Sequence, residues 1–196
     1  MLRILFSELN RSAKGPAIFI DRDGVINCRR PGDYVLDWSQ FFFLPGIRTA
    51  LKQMASLGLP MIVISNQAAV GKGLLNPVRL EEITVKMHQA LLEDGTTFAA
   101  AYYCIHRPDE NCVCRKPKPA LLQTAADDFN IDLSRSIFIG DSDTDVQAAR
   151  AAGCAPILFS SDASLQLTSP TALPTARKVT DLYALVAKDL QASERA

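Results

Sequence analysis

The chain has 196 residues, 48% of them apolar, enough for one α/β domain with a real core and far from a disordered composition. Basic and acidic residues number 21 each, so a net charge of zero gives no electrostatic basis for binding nucleic acid or an anionic membrane. No apolar stretch has the length of a membrane span, and the run from Met1 to Phe6 is too short for a signal peptide, which predicts a cytoplasmic protein.

In chain order, residues 1–16 read as an N-terminal extension ahead of the core. Ala17-Ile18-Phe19-Ile20, behind Gly15-Pro16, is a short apolar run of the kind found in buried parallel strands. The polar, turn-rich stretch from Asn27 to Gln40 is too long for a tight connection and resembles a small flap. Pro45-Gly46 opens a helix with Ile47, Ala50, Leu51, Met54 and Leu57 at helical spacing, stopped by Gly58. Pro60 to Ile64 is the second strand, ending in Ser65-Asn66-Gln67. A helix follows Asn76-Pro77. Phe98 to Cys104 is a third strand, and Pro119 to Phe129 a helix. Ser136 to Ile139 is a fourth strand, running into Gly140-Asp141. Asp143 to Ala152 is helical, Pro156 to Phe159 a fifth strand, residues 160–176 a surface loop, and Asp181 to Leu190 a closing helix. Strands alternating with helices predict a doubly wound parallel α/β sheet in a single domain over 17–192, with no insertion long enough for a separate cap.

Polar residues mark the strand ends. Asp21-Arg22-Asp23-Gly24 follows the first strand, where open α/β sheets bind ligands. Two carboxylates two residues apart can reach one small site, one attacking phosphorus while the other handles protons. Such a pair calls for a cation, which implies a divalent metal. Ser65-Asn66, Arg115-Lys116 and Asp141 with Asp143 and Asp145 complete a set suited to phosphoryl transfer. Each fragment alone has a plainer meaning: an acidic turn, an N-cap, a surface charge. Their order and their placement at strand ends argue against coincidence.

A second signal is Cys104-Ile105-His106 followed, after five residues, by Cys112-Val113-Cys114. Three thiolates and one imidazole at this spacing match a closed tetrahedral zinc site. Four protein ligands leave no open position, so the predicted Zn²⁺ is structural, stapling the polar loop Arg107 to Asn111. Cys28 and Cys154 have no such company. The staple runs directly into Arg115-Lys116-Pro117 and would fix that segment.

These motifs, in this order from Ala17 to Phe159, resemble the haloacid dehalogenase superfamily of phosphohydrolases. The resemblance implies Asp21 as the nucleophile that becomes an aspartyl phosphate and Asp23 as the acid–base group. It implies Mg²⁺ held by the Asp21 carboxylate, the Asp23 backbone carbonyl and Asp141, with Ser65 and Lys116 on the phosphoryl group. Asp145 would orient the metal's surroundings. The run CxH…CxC-RKP is similar to a zinc-containing, capless subgroup acting on a heptose 1,7-bisphosphate or on histidinol phosphate. Asn66 to Leu74, Lys86 to Leu91 and the flap segment Gly32 to Val35 favour the sugar bisphosphate, cleaved at its 7-phosphate. A bisphosphate needs cations for its second phosphate; Arg29, Arg30, Lys72 and Arg115 are candidates, with Asn66 and Gln67 beside them. The expected partner is therefore a small phosphorylated substrate, handled by a monomer. A degenerate binding module is the contrasting possibility, but every proposed position is chemically competent. Phosphate transfer to a second alcohol instead of water stays open.

Overall fold

In the computed structural model of the chain, residues 1–7, 13–29, 34–159 and 173–194 are described. Seven strands form one sheet: β1 (Leu2–Leu5), β2 (Ile18–Ile20), β3 (Met61–Asn66), β4 (Ala100–Cys104), β5 (Ile137–Gly140), β6 (Ala155–Phe159) and β7 (Thr175–Ala176). The spatial order is β1-β4-β3-β2-β5-β6-β7. All neighbouring pairs are parallel except β1 with β4. The helices are α1 (Ile47–Ala55), α2 (Ala68–Gly71), α3 (Pro77–Leu92), α4 (Ala120–Phe129), α5 (Asp143–Ala152) and α6 (Leu182–Glu194).

Alternation along the strands sorts side chains onto two faces. Ile18, Ile20, Val63, Tyr103 and Ile139 pack with α1, α3 and α6 on one face. Phe19, Ile62, Ile64, Tyr102 and Phe138 pack with α4 and α5 on the other. Both faces are covered, which is why these strands are continuous apolar runs. Sealing one such side chain from water contributes roughly 1.5–3 kcal/mol.

The chain builds β2, β3 and β4 outward to one side, then returns to the other side of β2 with β5, β6 and β7. The carboxyl ends of β2 and β5 thus flank the point where strand order reverses, the place for a ligand crevice. Helix signals stop and start where the sequence puts them. Asn76 accepts a hydrogen bond from the Arg79 N–H at 2.7 Å and Pro77 occupies the first turn of α3. Ser142 and Asp145 make a capping box at the start of α5, and Gly153 closes it in the left-handed region.

Three elements depart from the sequence reading. Leu2–Leu5, expected within the extension of 1–16, adds an antiparallel edge strand beside β4. Its single buried residue, Ile4, gives no run long enough to signal a strand. The expected surface loop of 160–176 contains β7, two residues paired with β6, while 160–172 lie outside the described residues. Helix α2, four residues in the stretch Asn66 to Leu74, is too short for periodicity to register.

Candidate active site

The site grows from strand ends. Asp21 continues β2, its N–H donating to the Ile139 carbonyl of β5 at 2.9 Å. Gly24 then turns the chain with φ of +91°, and a β-carbon there would lie 1.9 Å from Asp141 Oδ2. The last residue of the DRDG motif must therefore be glycine, both for its backbone angle and to let Asp141 approach.

Lys116 is the hub. Its Nζ lies 3.0 Å from Asp21 Oδ1 and 2.6 Å from Asp145 Oδ1, and it donates to the Ile64 carbonyl at 3.0 Å. The lysine is only 4% exposed. Burial alone would push its pKa down, but Asp145 and Asp21 outweigh that and raise it, so it stays a cation. Asn66 holds the lysine's backbone from both sides, accepting from the Lys116 N–H at 3.1 Å and donating to its carbonyl at 3.2 Å. The substrate contact expected of Asn66 thus meets a side chain already engaged in fixing Lys116.

Asp21, Asp141 and Asp145 bring carboxylate oxygens within 4.8 Å of one another. Burial first, then the Asp145 charge against the pull of Lys116, raises Asp21 to about 6. Burial and the nearby Asp21 raise Asp141 to about 7, with Arg29 opposing. One Asp141 oxygen, Oδ1, is buried without a hydrogen-bond partner among the described residues. Carboxylates crowded in this way, one of them with an unsatisfied oxygen, fit a divalent cation. Asp145, expected to orient the metal's surroundings, has the Lys116 ammonium as its closest charged partner and caps α5 through Ser142.

Asp23 is built differently. Burial would raise its pKa, but the Arg22 guanidinium and hydrogen bonds from Asn27 and Gln67 hold it below the ordinary 3.8. Gln67 Nε2 donates to Asp23 Oδ2 at 2.7 Å and to Ser65 Oγ at 3.2 Å. Gln67, expected on the substrate, thus links the Asp23 carboxylate to the Ser65 hydroxyl. The sequence assigned no role to Arg22 or Asn27; the one available signal was a charged residue set between two aspartates at the end of an apolar strand.

A cleft of about 660 Å³ opens over these groups. Asp21, Asp23, Ser65, Asn66 and Lys116 line it, together with Arg29, Tyr34, Lys72, Pro108 and Arg115. Arg29 contacts Asp141 Oδ2 at 3.2 Å, and Lys72 Nζ stands 5.3 Å above the Tyr34 ring. Arg115 Nη1 is buried without a hydrogen-bond partner among the described residues. Arg30 and the flap residues 31–33 lie outside the described residues.

The Cys/His loop forms one wall. Its sulfur–sulfur distances are 3.5 Å (Cys104–Cys112) and 3.8 Å (Cys112–Cys114), and His106 Nδ1 lies 3.6 and 3.2 Å from Cys104 and Cys114. A disulfide needs about 2.05 Å, so these are separate thiols. Tetrahedral ligands at about 2.3 Å (sulfur) and 2.0 Å (nitrogen) stand ~3.8 and ~3.5 Å apart, which the four donors match closely. Lys118 Nζ braces the loop through the Cys112 carbonyl at 2.7 Å. Gly71 of α2 lies so close to it that a β-carbon would meet Arg107 N and Ile105 O at 2.7 Å.

The HAD-hydrolase-like family model matches residues 113–191. D-glycero-beta-D-manno-heptose-1,7-bisphosphate 7-phosphatase of Helicobacter pylori is 40% identical over 133 residues, 67% of this chain and 75% of that protein. The same enzyme of Bordetella bronchiseptica is 34% identical over 173 residues, covering 88% of this chain and 96% of that protein. The crystal structure of the D,D-heptose 1,7-bisphosphate phosphatase from B. bronchiseptica, complexed with magnesium and phosphate, superposes with a TM-score of 0.79. That match has 29% identity over 90% of this chain and 99% of the other. The chain belongs to the D-glycero-beta-D-manno-heptose-1,7-bisphosphate 7-phosphatase family of HAD-like hydrolases.

Proposed function

We propose that this chain removes the 7-phosphate of D-glycero-β-D-manno-heptose 1,7-bisphosphate, in the cytoplasm, by way of an aspartyl phosphate on Asp21. The anomer comes from the names of the relatives. In the first half-reaction an Asp21 oxygen bonds to phosphorus and the bond to the sugar O7 breaks; Asp23, which takes up a proton from solvent against the hold of Arg22 as the phosphoryl anion enters beside it, passes that proton to O7. In the second, Asp23 takes a proton from water as the water oxygen attacks phosphorus, releasing phosphate and restoring Asp21. Ser65 and Lys116 hold the phosphoryl oxygens throughout.

Asp21, Asp141 and the Asp23 backbone carbonyl would hold Mg²⁺, which supplies charge neutralisation between nucleophile and phosphate. Cys104, His106, Cys112 and Cys114 would hold Zn²⁺ in a closed, structural site.

The observation that carries the substrate choice is Arg115 Nη1, buried beside the cleft with no hydrogen-bond partner among the described residues. A guanidinium N–H buried without an acceptor favours an anion that can supply one. Lys72 lines the same cleft. Histidinol phosphate would bring an ammonium to these cations. Comparing kcat/KM for the β and α anomers of the heptose bisphosphate and for histidinol phosphate tests the reading. The β anomer is expected to rank first; a higher value for histidinol phosphate would overturn the choice.

A further inference from the structure

Arg22 is 1% exposed and ranks among the largest fully buried side chains. Its guanidinium grips both oxygens of Asp23: Nη2 lies 3.0 Å from Oδ1 and 2.9 Å from Oδ2, and Nε 3.3 Å from Oδ1. Behind it stands the Tyr103 ring of β4, 6.0 Å from the guanidinium carbon. The Tyr103 hydroxyl lies 3.0 Å from that of Thr84, which donates to the Leu80 carbonyl of α3 at 2.7 Å. The Arg22 N–H meanwhile donates to Asp21 Oδ1 at 2.7 Å. Arg22 thus touches both carboxylates, one through its backbone and one through its side chain.

Burying an arginine for packing alone is poor economy, since an apolar side chain of similar length commonly serves stability as well. Its Nη1 even lacks a partner among the described residues. What the guanidinium does supply is direction. Asn27 donates to Asp23 Oδ1 at 2.9 Å and Gln67 to Oδ2 at 2.7 Å, one contact on each oxygen from two separate side chains. The two-pronged grip of Arg22 sets the plane of the carboxyl group. The Asp23 side chain remains 27% exposed, facing the cleft that it lines.

We propose that Arg22 is a positioning residue for proton delivery: wedged between Tyr103 and Asp23, it fixes the angle at which the Asp23 carboxyl meets the leaving oxygen. The inference rests on the proposed reaction, in which Asp23 protonates that oxygen as its bond to phosphorus breaks. A small error in the angle of an acid costs rate only where the leaving group needs the proton.

The test compares kcat/KM, which reports events up to phosphorylation of Asp21, for two monoesters in the full-length protein. One is the heptose bisphosphate, whose alkoxide needs protonation. The other is p-nitrophenyl phosphate, whose phenolate leaves unaided. Arg22→Met should lower the sugar value about 10- to 10²-fold more than the aryl value. Arg22→Lys, keeping the charge but not the two-pronged grip, should fall in the same direction by less, and it carries the test on the same criterion if Arg22→Met yields no folded protein. Asp23→Asn is the control. If it discriminates between the two esters while the Arg22 variants lower both equally, Arg22 is merely structural and the proposal is overturned, with the proposed reaction standing. If Asp23→Asn also lowers both equally, the assignment of Asp23 as acid fails, and this proposal with it.

Discussion

Asp21 and Asp23 are two residues apart, yet their surroundings push their acidities in opposite directions. Burial and a neighbouring carboxylate raise Asp21 to about 6, whereas Arg22, Asn27 and Gln67 hold Asp23 below 3.8 against its burial. Asp21→Asn is expected to abolish turnover, because an amide neither attacks phosphorus nor binds a cation as an anion; full activity in that variant would sink the nucleophile assignment. Asp23→Asn should slow turnover by about 10²–10⁴ and leave Mg²⁺ affinity nearly unchanged, since the backbone carbonyl persists. The raised carboxylates also make a stability prediction. In the folded, metal-free protein Asp21 and Asp141 take up protons at higher pH than in the unfolded chain, where the value is near 3.8. Their contribution is therefore fully favourable only below about 3.8 and is lost as pH rises through about 6 and 7. Thermal unfolding with chelator should show this fall, and added Mg²⁺ should remove it by favouring the ionised forms; an identical profile with and without Mg²⁺ would speak against the carboxylate metal site. The residue types were readable because strand, acid pair and glycine lie consecutively. The partnerships were not. Lys116 and Asp145 are distant in the chain and meet at 2.6 Å only because β5 and the Cys/His loop end at the same sheet edge.

At the scale of elements, the Cys/His loop carries two duties. It closes one wall of the cleft and leads directly into Arg115 and Lys116, so order in the loop is order in the site. Elemental analysis should find about one zinc per chain, resistant to dialysis that strips Mg²⁺. Cys112→Ser should lose the zinc and lower both the unfolding temperature and activity; protein purified without zinc yet fully active would contradict the staple. Gly71→Ala adds a methyl where backbone stands at 2.7 Å, so α2 or the loop must shift, costing about 1–3 kcal/mol in a denaturant titration. The loop's ligand spacing was plain in the sequence, whereas its packing against Gly71 was not, because contact between backbones leaves no side-chain pattern. The edge strand shows the same limit. Leu2–Leu5 is held by pairing with β4 and by Arg3, 2.7 Å from Asp128, an acid that also accepts from Tyr102 at 2.6 Å. A strand with one buried residue is specified by its neighbour and not by its own periodicity.

Across the whole molecule, the doubly wound sheet brings the ends of β2, β3, β4 and β5 to one edge and leaves substrate choice to what surrounds it. Among the described residues no helix is long and apolar enough to cross a membrane. In the proposed reaction Lys116 answers the phosphate that reacts, and Arg115 and Lys72, which line the same cleft, answer the one that does not. Arg115→Ala should therefore raise KM for the bisphosphate at least tenfold more than for a simple monophosphate ester, a difference of about 1.4 kcal/mol. Equal effects on both would remove Arg115 from the distal phosphate. The most direct measurement is phosphorus NMR of the β-heptose 1,7-bisphosphate during turnover by the Mg²⁺-loaded protein. The 7-phosphate signal should disappear into inorganic phosphate while the 1-phosphate signal persists, with no such change for Asp21→Asn. Loss of the 1-phosphate first, or turnover that survives in Asp21→Asn, would contradict the reaction assigned to this site.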